Sequence, residues 1–126
     1  MVRLNRAFTL IELLVVMAII ATLLTLAVPR YFSSVERSKE AVLREDLNSM
    51  RDAIAKFYAD NGAYPDSLEQ LVTKRYLRNV PVDPVTESAA TWVPTSPPGA
   101  SAGGGVYDIH SGAEGNSTAG VAYSEF

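Results

Sequence analysis

The stretch "RAFTLIELLVVMAII", residues 6–20, holds one acid, Glu12, inside an otherwise apolar run. From Phe8 to Val28 the chain runs 21 residues with Glu12 as its only ionisable side chain. As a helix rising about 1.5 Å per residue, this span would reach roughly 31 Å, the thickness of a bilayer hydrocarbon core. Arg3 and Arg6 precede it without an acid, a positive flank that keeps this end in the cytoplasm. Thr9, Thr22 and Thr25 can return their hydroxyls to helix carbonyls, and Pro29-Arg30 closes the run. The segment reads as membrane-spanning. Glu12 is then anomalous, because a carboxylate in lipid costs about 1–3 kcal/mol depending on depth.

Three readings compete for it. An ordinary secretory signal has an apolar region of roughly 7–15 residues before a small-x-small cleavage site. Here the run is longer, and Pro29 directly follows Ala27-Val28. A plain anchor fits the length but leaves Glu12 unexplained. Cleavage before Phe8 would supply a partner, since the new amino terminus is a cation and Glu12 lies four residues along, a helical neighbour. Glu12 can then pair with its own amine or with that of an adjacent subunit. The ion pair removes a bare charge and fixes register.

Ala7-Phe8-Thr9-Leu10-Ile11-Glu12-Leu13-Leu14-Val15-Val16 resembles the type IV prepilin leader and methylation motif, which marks pilins and the pseudopilins of type II secretion. The resemblance implies a short basic leader, prepilin peptidase cleavage between Ala7 and Phe8, N-methylation of Phe8, and assembly through Glu12 and Phe8. It also implies a helix-interrupting proline, here Pro29. The family usually carries Gly before the scissile bond, where this chain has Ala7. Loss of Arg3 and Arg6 with the leader would take the net charge from −3 to −5.

Downstream, Leu43, Leu47, Met50, Ile54 and Phe57 recur at spacings of four and three, an amphipathic face extended upstream by Val35 and Phe32. Glu40–Arg44 and Asp52–Lys56 form acid-first i, i+4 pairs on the opposite side. Asn61-Gly62 supplies a left-handed stop. One helix over residues 8–60 follows, kinked at Pro29, and its stripe needs a head to cover it. A short second helix runs to about Arg75, with Asp66 and Glu69 at capping-box spacing. Tyr64 to Leu71 and Tyr76 to Pro84 resemble the head of the G-type major pseudopilins, with their Tyr-Pro turn and Pro-x-Asp-Pro element. Val85-Thr86 replaces that family's usual Trp-Gly.

The remainder reads as loops and short strands. Thr91-Trp92-Val93 is β-prone, and Pro94 to Gly105 is a Pro/Ser/Gly-rich loop. Val106 to His110 alternates as a strand, with Val106, Asp108 and His110 on one face, and Val121-Ala122-Tyr123 is placed beside it. The expected fold class is α+β and type IV pilin-like. A long N-terminal helix, transmembrane then amphipathic, carries a head of one short helix and a small antiparallel sheet. The expected divisions are a leader (1–7), an assembly half of the helix (8–29), its amphipathic half (30–61) and a periplasmic head (62–126).

The 126 residues suffice for one small domain. A net charge of −3 makes no electrostatic case for a nucleic-acid partner, and the absence of cysteine excludes disulfides and thiolate metal sites. Asp108, His110 and Ser111 make no catalytic triad, because neighbours on a strand point to alternating faces. Gly103-Gly104-Gly105 lacks the lysine of a phosphate loop, and Asn116-Ser117-Thr118 matches a glycosylation sequon by coincidence. The resemblance implies calcium in the last loop, with Asp108, Glu114, Asn116 and Ser117 as candidate donors; a metal-free, hydrogen-bonded loop is the default. Calcium takes 6–8 oxygens, usually with several carboxylates, and Ser111 to Ser117 offers one carboxylate and one amide.

The expected function is a non-enzymatic subunit of a type II secretion pseudopilus. Its expected partners are copies of itself, prepilin peptidase, other pseudopilins and the inner-membrane assembly platform. It would cross the bacterial inner membrane once, with a periplasmic head. A type IV pilin for adhesion, motility or DNA uptake is the alternative, ahead of a membrane-anchored enzyme.

Overall fold

The computed structural model describes residues 7–100 and 103–126. The chain divides into a unit ending at Val35 and a second unit, Glu36–Phe126. Helix α1, Leu10–Asn61, contributes to both and continues through Pro29.

In the first unit α1 is apolar on all sides. Its side chains from Leu10 to Val28 are exposed, with Leu10 at 77% and Leu26 at 67%. The Thr22 hydroxyl donates to the Ala18 carbonyl and that of Thr25 to Ala21, each at 2.8 Å, so two polar groups are satisfied within the helix. An 18-residue window of α1 has a mean hydropathy of 2.6, long and apolar enough to cross a membrane.

The second unit buries the stripe foreseen from spacing. Leu43, Leu47, Met50, Ile54 and Phe57 are all buried, and Phe32 is not part of the stripe, being 62% exposed. Glycine ends α1 as its conformational freedom permits, since Gly62 adopts φ 70° and donates to the Tyr58 carbonyl at 2.8 Å. Helix α2, Leu68–Thr73, is capped by Ser67 rather than Asp66. Ser67 Oγ accepts from Gln70 N at 3.3 Å, and Gln70 Oε1 accepts from Asp66 N at 2.7 Å. The capping pair is thus one residue later than expected, because serine's hydroxyl serves the Gln70 amide. The helix stops before Arg75, whose φ of 65° is left-handed.

Strands β1, Trp92–Thr95, and β2, Asp108–Ser111, form a two-stranded antiparallel sheet with Trp92 opposite Ser111 and Thr95 opposite Asp108. The strand therefore extends through Pro94 and Thr95, which the composition had assigned to the loop. On β2, Ile109 and Ser111 face inward while Asp108 and His110 are half-buried. Val106 departs from the expected alternation: it is buried, and its N–H donates to the Pro65 carbonyl at 2.7 Å. Val121 to Tyr123 does not pair with β2. The chain turns at Gly120 (φ 80°), Ala122 bridges only to Asn116, and Tyr123–Glu125 forms a 3-10 helix that buries Tyr123. The α+β class holds. Leu68, Leu71, Trp92, Val106, Ile109 and Tyr123 cover the α1 stripe in one hydrophobic cluster.

Candidate functional site

The N-terminal segment turns from irregular backbone to helix at Leu10. Ala7, Phe8 and Thr9 lie outside α1, and Ala7 and Phe8 are exposed, Phe8 at 85%. The Ala7–Phe8 bond therefore lies in accessible, non-helical chain directly ahead of an apolar helix. Arg3 and Arg6 of the expected leader lie outside the described residues.

Glu12 has a local partner that sequence reasoning missed. Thr9 Oγ1 accepts from Glu12 N at 3.2 Å, and Glu12 Oε2 accepts from Thr9 N at 3.4 Å. This is a reciprocal capping box at the start of α1, where free N–H groups and the helix dipole favour an anion. Thr-x-x-Glu before an apolar run is its sequence signal, legible at Thr9 and Glu12. The carboxylate thus has a role within a single chain, besides any role between chains.

In the second unit, three side chains of α1 engage the C-terminal segment. Glu40, expected to pair with Arg44 on the solvent side, is buried instead and accepts from Thr118 N at 2.6 Å and Thr118 Oγ1 at 2.9 Å. Arg44 lies 4.7 Å from the centre of the Phe126 ring, a cation–π arrangement. The pairing fails because residues 113–126 fold back over this part of α1. The other foreseen pair, Asp52–Lys56, forms at 2.9 Å. Arg51 Nε donates to Asp108 Oδ1 at 2.8 Å, and its Nη2 donates to the carbonyls of Ile109 and Phe126.

The Pro-x-Asp-Pro element is built around Asp83, which is fully buried. Its Oδ1 accepts from Val85 N at 2.8 Å and Thr86 N at 3.3 Å, and its Oδ2 accepts from the Ser111 hydroxyl at 2.5 Å. This aspartate ties the loop before β1 to the end of β2. Half-buried Asp46 has its carboxyl pushed above the ordinary value by burial, then by the charges of Asp83 and Glu45.

Two of the four candidate calcium donors are engaged elsewhere, and the other two are exposed. Asp108 is engaged by Arg51, and Ser117 Oγ accepts from Val121 N at 3.3 Å. Glu114 and Asn116 are exposed. Among the described residues, no three His, Cys, Asp or Glu side chains gather where they could hold a metal ion. Two carboxylates, one amide and one hydroxyl, two of them already bonded to N–H groups, are a sparse donor set for calcium, which takes 6–8 oxygens.

Comparison with known proteins adds to this geometry. The family described as the prokaryotic N-terminal methylation motif matches residues 2–28. Type II secretion system core protein G of Pseudomonas aeruginosa is 35% identical over 98 residues, covering 65% of this chain and 69% of the relative. The chain belongs to the type II secretion system core protein G family. It is therefore a pseudopilin subunit, within the wider type IV pilin-like group. Core protein G of Pectobacterium carotovorum is 32% identical over 96 residues, covering 64% of this chain and 62% of the relative. The type IV major pilin protein PilA of Myxococcus xanthus is 34% identical over 67 residues, covering 53% of this chain and 30% of that protein. No solved structure matches the chain.

Proposed function

We propose that this pseudopilin is inserted in the bacterial inner membrane with its head in the periplasm, cut between Ala7 and Phe8 by prepilin peptidase, and N-methylated on Phe8. Mature subunits then polymerise with one another and with other pseudopilins on the inner-membrane assembly platform. Its role is structural rather than enzymatic. The observation that carries this reading is the exposed, non-helical Ala7–Phe8 bond set directly before an apolar helix with a single acid.

In the fibre, helices pack against helices and exclude water and lipid from Glu12. The carboxylate then leaves the Thr9 capping box for the Phe8 amine of a neighbouring subunit. Each charge neutralises the other, and the pair sets the axial step between subunits. A single chain cannot bury the apolar side chains from Leu10 to Val28, which supports association along this face. The bend expected at Pro29 belongs to this proposal.

Similarity to the Myxococcus pilin favours a second reading as a type IV pilin. The core protein G relatives support the first, since their match covers a larger share of this chain. Intact mass of the chain co-expressed with a prepilin peptidase tests the processing. The expected product lacks residues 1–7 and carries one added methyl group; an uncut chain would contradict the proposal.

A further inference from the structure

We propose that the last loop of the head, residues 111–122, is fastened to α1 by the Glu40 carboxylate and reaches its folded position without a divalent cation. The polarity of this fastening is the reverse of a calcium loop. A cation gathers oxygens that converge on it, whereas a carboxylate gathers donors. Here the loop presents donors: Thr118 gives both its N–H and its hydroxyl to Glu40, which is 9% exposed. Such charge-assisted bonds are roughly twice as strong as neutral ones.

Further bonds hold the loop to itself. Ser117 N donates to the Val121 carbonyl at 2.7 Å, Gly120 N to Ser117 at 3.0 Å, and Tyr123 N to Gly115 at 3.2 Å. Ala113 N donates to Ser111 Oγ, whose own proton goes to Asp83. Ser117 Oγ faces the Val121 amide, and the Asp108 carboxylate faces Arg51. Of the candidate donors, the Asp108 and Ser117 oxygens are therefore already turned toward N–H groups, which leaves one carboxylate and one amide, those of Glu114 and Asn116, on the exposed side of the loop. Glu40 and Thr118 lie 78 residues apart, so this one contact joins the long helix to the far end of the head.

The consequence for assembly rests on the proposed function: a subunit fastened in this way would be competent to polymerise in calcium-free medium. The fastening itself is testable on the unassembled protein, so its failure is distinguishable from a failure to form fibres. The full chain in detergent micelles is unfolded thermally in millimolar calcium chloride and in chelator, and hydrogen exchange is followed at the Thr118 amide. The wild-type midpoint should be the same in both media. Glu40→Ala should lower it by roughly 5–10 °C in both, and speed exchange at Thr118 about tenfold. Thr118→Val keeps the amide bond but loses the hydroxyl, and should show a smaller fall. A wild-type midpoint raised by calcium but not by magnesium would overturn the proposal. So would unchanged Thr118 exchange in Glu40→Ala. Should that variant fail to fold, the wild-type calcium comparison and Thr118→Val decide the matter.

Discussion

Arg51 on α1 joins helix, sheet and C-terminal segment through one guanidinium: its Nε donates to Asp108 Oδ1 at 2.8 Å, and its Nη2 donates to the Ile109 and Phe126 carbonyls at 2.8 and 2.7 Å. His110 adds to the same junction, with Nδ1 2.9 Å from the Phe126 carbonyl oxygen and Nε2 3.5 Å from Asp108 Oδ2. The helix that carries the N-terminal apolar segment thus also anchors the last elements of the head.

This junction predicts an acid-labile head. Partial burial works against the charged form of Asp108, but the Ile109 amide, the Arg51 guanidinium and His110 outweigh it and hold the carboxyl below its ordinary value. A depressed carboxyl contributes stability that is present above its unfolded value of about 3.9 and is lost as pH falls through the folded one. Thermal midpoints should therefore fall as pH drops below about 4, and Asp108→Asn should flatten that fall. Scans of both proteins across this window check it, and equal slopes would contradict it.

Asp46 should behave in the opposite sense. Burial first, then the charges of Asp83 and Glu45, raise its carboxyl, so ionised Asp46 opposes folding and stability is regained as pH falls through the raised value. Asp46→Asn should stabilise the head at neutral pH by about 0.2–0.5 kcal/mol, read as a midpoint higher by roughly 1–3 °C. A lower midpoint would show that Asp46 has a favourable role.

Replacing Asp83 should be among the most damaging changes in the head. Alanine there removes the acceptor of the part-buried Val85 and Thr86 amides and of the buried Ser111 hydroxyl, at about 1–3 kcal/mol for a buried group left unpaired and less for the two half-buried amides. The urea midpoint of Asp83→Ala should fall steeply, with Asp83→Asn between it and wild type. Wild-type stability in Asp83→Ala would remove this residue from the account of the loop.

Gly112 is required for a steric reason. A methyl group there would lie 2.1 Å from the Thr91 carbonyl oxygen, so the two segments would have to separate. Gly112→Ala should cost about 1–3 kcal/mol through that displacement. Denaturant titration measures it, and a neutral result would mean the backbone gives way freely at Thr91.

Local periodicity carried much of this fold. Leu43, Leu47, Met50, Ile54 and Phe57 announce a buried face because helix geometry repeats every few residues, and Asn61-Gly62 announces its end. Long-range contacts carry no such signal. Glu40 looked solvent-facing because its partner Thr118 lies 78 residues away. The Asp83–Ser111 bond, 28 residues apart in sequence, was equally hidden. Val121 to Tyr123 has strand-like composition, yet the chain turns at Gly120 and a 3-10 helix begins at the buried Tyr123. At the N-terminus, Thr9 and Glu12 have capping-box spacing in the sequence itself, a local signal that the charge of Glu12 in an apolar run overshadows.

In the proposed function the charge of Glu12 joins subunits, beyond capping its own helix. Glu12→Gln separates these roles, because glutamine can still serve a capping box with Thr9 while carrying no charge. The decisive measurement is the yield of sheared fibres from cells expressing Glu12→Gln, with intact mass to verify cleavage before Phe8. The expected result is a processed, methylated subunit with fibre yield reduced at least about tenfold, since the neighbour's amine is left buried and unpaired. Normal fibres from Glu12→Gln would contradict it and leave Glu12 as a helix cap alone.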